Sequence, residues 1–117
     1  MNSELATVRF APDGDLSVAT IDGEIDESNN ADVWDRLAPA LSVPGPLVVD
    51  LSGVSYLSSA GVRLVVDVLQ HRRERGGTHL VVPSGAAPRR LLELTAIDRL
   101  TPLHEDLSTA TAVARQG

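Results

Sequence analysis

The chain has 117 residues, a net charge of −6, and neither cysteine nor lysine. These absences exclude disulfides, thiolate nucleophiles, Schiff-base chemistry and a phosphate-loop lysine. The acidic balance disfavours nucleic-acid binding, which needs a basic surface, and one Trp, one Tyr and one Phe are too few for a base-stacking platform.

The first half of the chain predicts a β-hairpin followed by a helix. Segments 4–11 and 15–22 alternate apolar and polar residues on either side of the turn "PDGD". Ser28 or Asn29 can cap the helix that follows, and Pro39 should kink or end its last turn. The apolar face of this helix is predicted from four residues at helical spacing: Trp34, Leu37, Ala38 and Leu41.

The middle of the chain predicts a buried strand and the strongest helix of the sequence. "PGPLVVDLSGV" is a nearly continuous apolar run, typical of a strand buried on both faces, and we expect it to end near Leu51. A helix is predicted over 61–75, opening at Ala60 or Gly61, and its basic end "RRER" is predicted to be solvated. Its apolar stripe is predicted to be Val62, Val65, Val66 and Leu69.

The remaining elements complete an α/β pattern. "THLVVP" predicts another buried strand, and "SGAAPRRLLELTAI" predicts a shorter helix with Pro88 near its first turn. A short extended piece and a final helix from Glu105 or Asp106 end the chain. We therefore expect a single domain over 1–117 with a mixed sheet, an initial hairpin and a parallel middle, packed by about four helices. No leader or membrane-spanning run is apparent, so we expect a cytoplasmic domain without membrane insertion.

The stretch "YLSSAGVRLVV" at 56–66 admits two interpretations. In one, Ser58 or Ser59 is simply the cap of the helix that follows. In the other, a hydroxyl stands on an open surface before the small Ala60 and Gly61, at the carboxyl edge of the sheet where ligands and partners usually bind. A phosphate there would meet free N–H groups and the positive end of the helix dipole.

Three ordered segments resemble the STAS family, in particular the bacterial anti-sigma factor antagonists. "DLSGVSYLSSAGVRLVV" resembles the family's serine-containing motif, and "GEIDESNNADVWDRL" resembles its Gly-Glu-Leu-Asp element. "THLVVPSGAAPRRLLELTAIDRL" resembles its later strand–helix unit. The resemblance is collinear over about residues 5–115.

The resemblance implies a binding switch, neither an enzyme nor a cofactor protein. Unphosphorylated antagonists of this kind bind an anti-sigma factor that is also a serine kinase. This binding makes the anti-sigma factor release its sigma factor. The kinase phosphorylates the antagonist and a PP2C-type phosphatase restores it. Because Gly61 fixes the register, the resemblance places phosphorylation at Ser59, with Ser58 the second choice. Ser58 replaces the family's aspartate, and Ala60 stands before the glycine.

The sequence and the resemblance also predict which residues bind the partner, and they leave a second function open. Glu24 and Asp26 are either solvated acids or part of the kinase-binding face. The partner-binding set is Glu24, Asp26, Ser58, Ser59, Ala60, Gly61, Arg63 and Asp67. The alternative function is a STAS scaffold or transport-complex subunit without phosphorylation.

Enzymatic and metal functions have little support in the sequence. A hydrolase built on Ser55 lacks the second glycine of a nucleophile elbow. An EF-hand counted from Asp22 would place Glu27 where glycine is required. The three histidines lie on different elements without ligand spacing, and we expect solvent-facing or strand-end positions for His71, His79 and His104.

Overall fold

The computed structural model describes residues 5–116, so the start of the predicted first strand at residue 4 lies outside the described residues. The elements within this range are β1 (Ala6–Asp13), β2 (Leu16–Ile25), α1 (Asn30–Leu41), β3 (Leu47–Leu57), α2 (Ser59–Arg72), β4 (Thr78–Val81), α3 (Ala87–Leu94), a 3-10 turn (Ile97–Arg99), β5 (Leu103–His104) and α4 (Leu107–Gln116).

The strands form one mixed sheet in the order β1-β2-β3-β4-β5. β1 and β2 pair antiparallel around a turn in which Gly14 has a φ of 66°, and each later pair is parallel. This arrangement confirms the predicted hairpin, parallel middle and α/β class. Two apolar clusters cover the two faces of the sheet. Helices α1, α2 and α3 contribute to the larger cluster, whereas α4 packs alone on a small one of Leu16, Val48, Val81, Ala110 and Ala114.

Strand β3 is longer than predicted: it continues past Leu51 to Leu57. Ser52 and Gly53 are exposed and suggest a loop in the sequence, but they lie at a register shift between β2 and β3. Such a bulge bends a strand without ending it. Val54 and Leu57 then return to the core, at 2% and 5% exposure. The bulge therefore brings the end of β3 to within one residue of α2.

The buried faces of α1 and α2 also differ from prediction. In α1, Ala38 is exposed and Trp34 only half-buried. In α2, Val62, Val66 and Leu69 are half-buried at the margin of the core. The prediction is confirmed for Leu37, Leu41 and Val65 and wrong for the others, because apolar residues occur on either side of the true stripe. The fully buried residues are Val33, Leu37, Ala40 and Leu41 in α1, and Gly61, Leu64, Val65, Val68 and Arg72 in α2.

Arg72 is fully buried, and its predicted place on a solvated helix end is wrong. Its guanidinium donates to the carbonyl oxygens of Leu41 at 3.3 Å and Val43 at 2.5 Å, and also to that of Gly45. These carbonyls follow one another where α1 ends and the chain turns towards β3. Desolvation, and then the nearby charge of Arg75, lower the pKa of Arg72 from its usual value. The arginine thus ties the end of α2 to the α1–β3 loop.

Candidate functional site

The serine stretch lies at the carboxyl ends of two adjacent parallel strands. Glu24 pairs with Tyr56, and Ile25 pairs with Leu57, where β2 and β3 end. The backbone N–H of Ser58 donates to the carbonyl of Ile25 at 3.0 Å. The serine stretch and the Gly-Glu-Ile-Asp segment of β2 are therefore neighbours, at the sheet edge where α/β proteins place their binding sites.

Ser58 is the N-cap of α2. Its Oγ accepts hydrogen bonds from the backbone N–H groups of Ala60 at 3.1 Å and Gly61 at 3.4 Å. Its backbone is extended, with a φ of −83° and a ψ of −179°, as the cap position requires. The residue is only 7% exposed. The hydroxyl of Ser58 is thus both occupied and shielded.

Ser59 is the first residue of α2 and is exposed. Its hydroxyl makes no hydrogen bond to any other residue in the described range 5–116. The helix that it opens is 14 residues long, so the positive end of its dipole faces any group attached to this oxygen. Of the two serines, Ser59 carries the hydroxyl that an approaching protein can reach.

Gly61 fixes the close packing beneath these serines. A Cβ on Gly61 would lie 2.5 Å from Leu57 Cδ1 and 3.1 Å from the carbonyl oxygen of Ile25. Gly61, one of the predicted partner-binding residues, is buried and offers a partner little surface, whereas Ala60 is partly exposed. A glycine here lets α2 begin directly against the ends of β2 and β3.

The two acids at the end of β2 have different environments. Asp26 Oδ1 accepts from the backbone N–H of Ser28 at 2.8 Å and from its hydroxyl at 2.6 Å, and these bonds lower the pKa of Asp26. Asn29 precedes α1 but makes no capping bond. Instead, its side chain accepts from Asp26 N at 2.9 Å and donates to the carbonyl of Glu24 at 2.8 Å. Asp26 therefore shapes this loop, whereas Glu24 is exposed.

Three further side chains lie on β3 and α2, the two elements that Ser58 and Ser59 connect. Arg63 and Asp67 lie one and two turns along α2, and Arg63 Nε donates to Asp67 Oδ1 at 3.2 Å. Tyr56 is 51% exposed and lies opposite Glu24 on β3. Tyr56 was not among the predicted site residues, because the strand was expected to end near Leu51. No local pattern could have found it, because Val54 and Leu57 are three residues apart, and only a second register shift, between Gly23 and Glu24, lets both reach the core.

Two histidines meet away from this site. His79 Nδ1 and His104 Nε2 are 3.1 Å apart on β4 and β5. His104 is at a strand end as expected, but it is buried at 9% exposure rather than solvent-facing. His71 is exposed on α2 and forms a T-shaped contact with Trp34, with ring centroids 5.9 Å apart. Within residues 5–116, no group of three or more metal-ligating side chains converges, and no helix is long and apolar enough to cross a bilayer.

Comparison with known proteins agrees with this architecture. A family model described as "Mlab, STAS domain" matches residues 8–105. The anti-sigma-F factor antagonist RsfB of Mycobacterium tuberculosis is 30% identical over 115 residues, covering 95% of this chain and 91% of RsfB. The crystal structure of an anti-sigma factor antagonist from Mycobacterium paratuberculosis superposes with a TM-score of 0.86 at 27% identity, covering 94% of each chain.

A more distant structure shares the fold alone. SpoIIAA, a Bacillus cell-fate determinant, is 17% identical to this chain. Its unphosphorylated form has a TM-score of 0.73 and covers 95% of this chain and 98% of its own, and a structure of its phosphorylated form also matches. On the family match over residues 8–105 and the 30% identity to RsfB along nearly the whole of both chains, the chain belongs to the STAS domain family.

Proposed function

We propose that this protein is an anti-sigma factor antagonist that acts by binding, and that phosphorylation of Ser59 switches the binding off. The partner is a cognate anti-sigma factor with serine-kinase activity, and a PP2C-type phosphatase restores the unmodified serine. The observation that carries the proposal is the exposed hydroxyl of Ser59 at the first position of α2, which has no hydrogen-bond partner among residues 5–116.

The choice of Ser59 over Ser58 follows from what each hydroxyl does. A kinase must bring its ATP to the serine oxygen, and Ser58 Oγ is buried while holding two backbone N–H groups. Modifying Ser58 would remove the cap of α2. The Ser59 hydroxyl is exposed and does not cap the helix, so it can be modified while the domain stays folded.

We infer that a partner binds around Ser59, at the ends of β2 and β3 and along the first two turns of α2. We call this surface the serine face, made of six side chains with at least partial exposure: Glu24, Tyr56, Ser59, Ala60, Arg63 and Asp67. Tyrosine and arginine are enriched among the residues that dominate binding energy. Tyr56 is the largest apolar group on this face, so we assign it the role of anchor in a partner's pocket.

Phosphorylation would abolish binding without refolding the domain. A phosphoserine adds about 1.5–2 negative charges at neutral pH. Placed at the centre of a docked interface, the phosphate must lose its hydration shell, and the bound protein has no group positioned to neutralise its charge. A loss of about 4 kcal/mol corresponds to roughly a thousandfold weaker binding.

The direct test is phosphorylation by candidate anti-sigma factor kinases with ATP, with the modified residue mapped by mass spectrometry. We expect phosphate on Ser59 of the wild type and of Ser58→Ala, and none on Ser59→Ala. Equal phosphate uptake by Ser59→Ala and wild type would contradict the assignment. Stable binding to a scaffold or transporter, unaffected by kinase and ATP, would favour the alternative of a STAS subunit without a phosphorylation cycle.

A further inference from the structure

The exposed face of α2 carries a serine, an arginine and an aspartate in consecutive turns. Ser59, Arg63 and Asp67 follow one another at intervals of four residues, which places their side chains in a row. The Arg63 side chain is 76% exposed and that of Asp67 is 42% exposed. Arg63 Nε contacts Asp67 Oδ1 at 3.2 Å, so the guanidinium now points away from Ser59.

The existing pair is easily exchanged for another. Exposed ion pairs of this kind contribute little to stability because solvent screens them and two long side chains lose freedom. The pair also has the less favourable order, since an acid on the amino-terminal side of the base at this spacing is better than the reverse. A negative group on Ser59 would stand on that better side of Arg63.

We propose that Arg63 is an intramolecular receptor for phosphate on Ser59, and that phosphorylation transfers its guanidinium from Asp67 to the phosphate. This inference rests on the proposed function, because it describes the regulation of the same site. A phosphate dianion attracts the guanidinium more strongly than one carboxylate does. It also offers several oxygens for the two-pronged contact that arginine makes.

The transfer would spread the effect of one modification along the helix. Ser59 and Asp67 are eight residues apart, which is about 12 Å at 1.5 Å per residue. In the phosphorylated state, Arg63 is engaged by the phosphate and the carboxylate of Asp67 is unpaired. A partner that contacts the serine face would therefore meet changed charges at three positions rather than at one.

The test uses the full chain with phosphoserine installed at position 59 during synthesis, so that no kinase is needed. The second ionisation of the phosphate, ordinarily near pH ~6, is followed by phosphorus NMR. We expect the pKa to be at least about 0.5 lower in the wild type than in Arg63→Gln, a threefold difference in acid dissociation. The matched control is Arg73→Gln, which removes the same charge about 21 Å along α2 and should leave the pKa at the wild-type value.

A second readout follows the arginine itself. The NMR resonance of the Arg63 Nε–H should shift when Ser59 carries phosphate. In phosphorylated Asp67→Asn it should have the same chemical shift as in the phosphorylated wild type, because Arg63 contacts the phosphate in both. Equal phosphate pKa values in the wild type, Arg63→Gln and Arg73→Gln would overturn the inference. Because the phosphoserine is installed directly, that result would leave the kinase proposal standing. Conversely, the expected lowering of the phosphate pKa by Arg63, in a protein that no kinase modifies, would contradict only the proposed function.

Discussion

Substituting the two adjacent serines one at a time should separate stability from switching. Ser58→Ala removes an oxygen that accepts two backbone N–H groups at the start of α2. Loss of an N-cap typically costs about 1 kcal/mol and up to about 2 kcal/mol. We expect the upper half of that range, because Ser58 is 7% exposed and water cannot readily replace it. Ser59→Ala removes an exposed hydroxyl that makes no hydrogen bond within the part of the chain that the structure describes, so its effect should stay within about 0.5 kcal/mol.

The expected difference is large enough to measure by thermal and urea denaturation. Unfolding entropies of about 2.1 cal/mol/K per residue convert 1 kcal/mol into a Tm change of about 4 °C for a chain of 117 residues. Ser58→Ala should thus melt about 6–8 °C below the wild type, and Ser59→Ala within about 2 °C of it. Phosphate uptake should show the opposite pattern, retained in Ser58→Ala and lost in Ser59→Ala. Equal melting of the two variants would refute the division of roles.

The remaining predictions concern packing and pH. Gly61→Ala should lower the free energy of unfolding by about 1 kcal/mol in urea denaturation, because overpacking against Leu57 exceeds the gain in helix propensity; a more stable variant would contradict this. Arg72→Met should cost about 3 kcal/mol in the same assay, because it leaves three carbonyls without their charged donor; a loss below about 1 kcal/mol would show that water replaces it. Burial lowers the pKa of both His79 and His104, so the unfolded state binds more protons and stability should fall as pH drops below about 6.5. Above about pH 5, protonation of carboxylates contributes little to this pH dependence. His79→Gln should therefore reduce the slope of the free energy of unfolding against pH, and an unchanged slope would contradict the reasoning.

The topology could be predicted from the sequence because it depends on local signals in chain order. A turn motif, alternating segments and capped apolar helices were enough to predict the hairpin, the parallel strands and the helices packed on them. The serine pair was equally accessible, because Gly61 fixed its register in the family motif. What the sequence left open was which serine caps the helix, and hydrogen bonds at Ser58 settle that point.

Three features depended on tertiary contacts that no local pattern contains. The bulge that extends β3 arises from its pairing with β2, and without it Tyr56 was taken for a loop residue. The burial of Arg72 depends on the rotation of α2, and residues 62–69 are apolar enough to fit more than one rotation. The contact between His79 and His104 depends on β5, a strand of two residues that pairs beside β4.

Phosphorylation of Ser59 at the start of α2 should cause a bound partner protein to dissociate. The most direct measurement is calorimetric titration of a cognate anti-sigma factor kinase, loaded with nucleotide, into the protein with serine or installed phosphoserine at position 59. We predict Kd values that differ by at least about a hundredfold, with the unmodified protein binding more tightly. Equal affinity of the two forms would contradict the account.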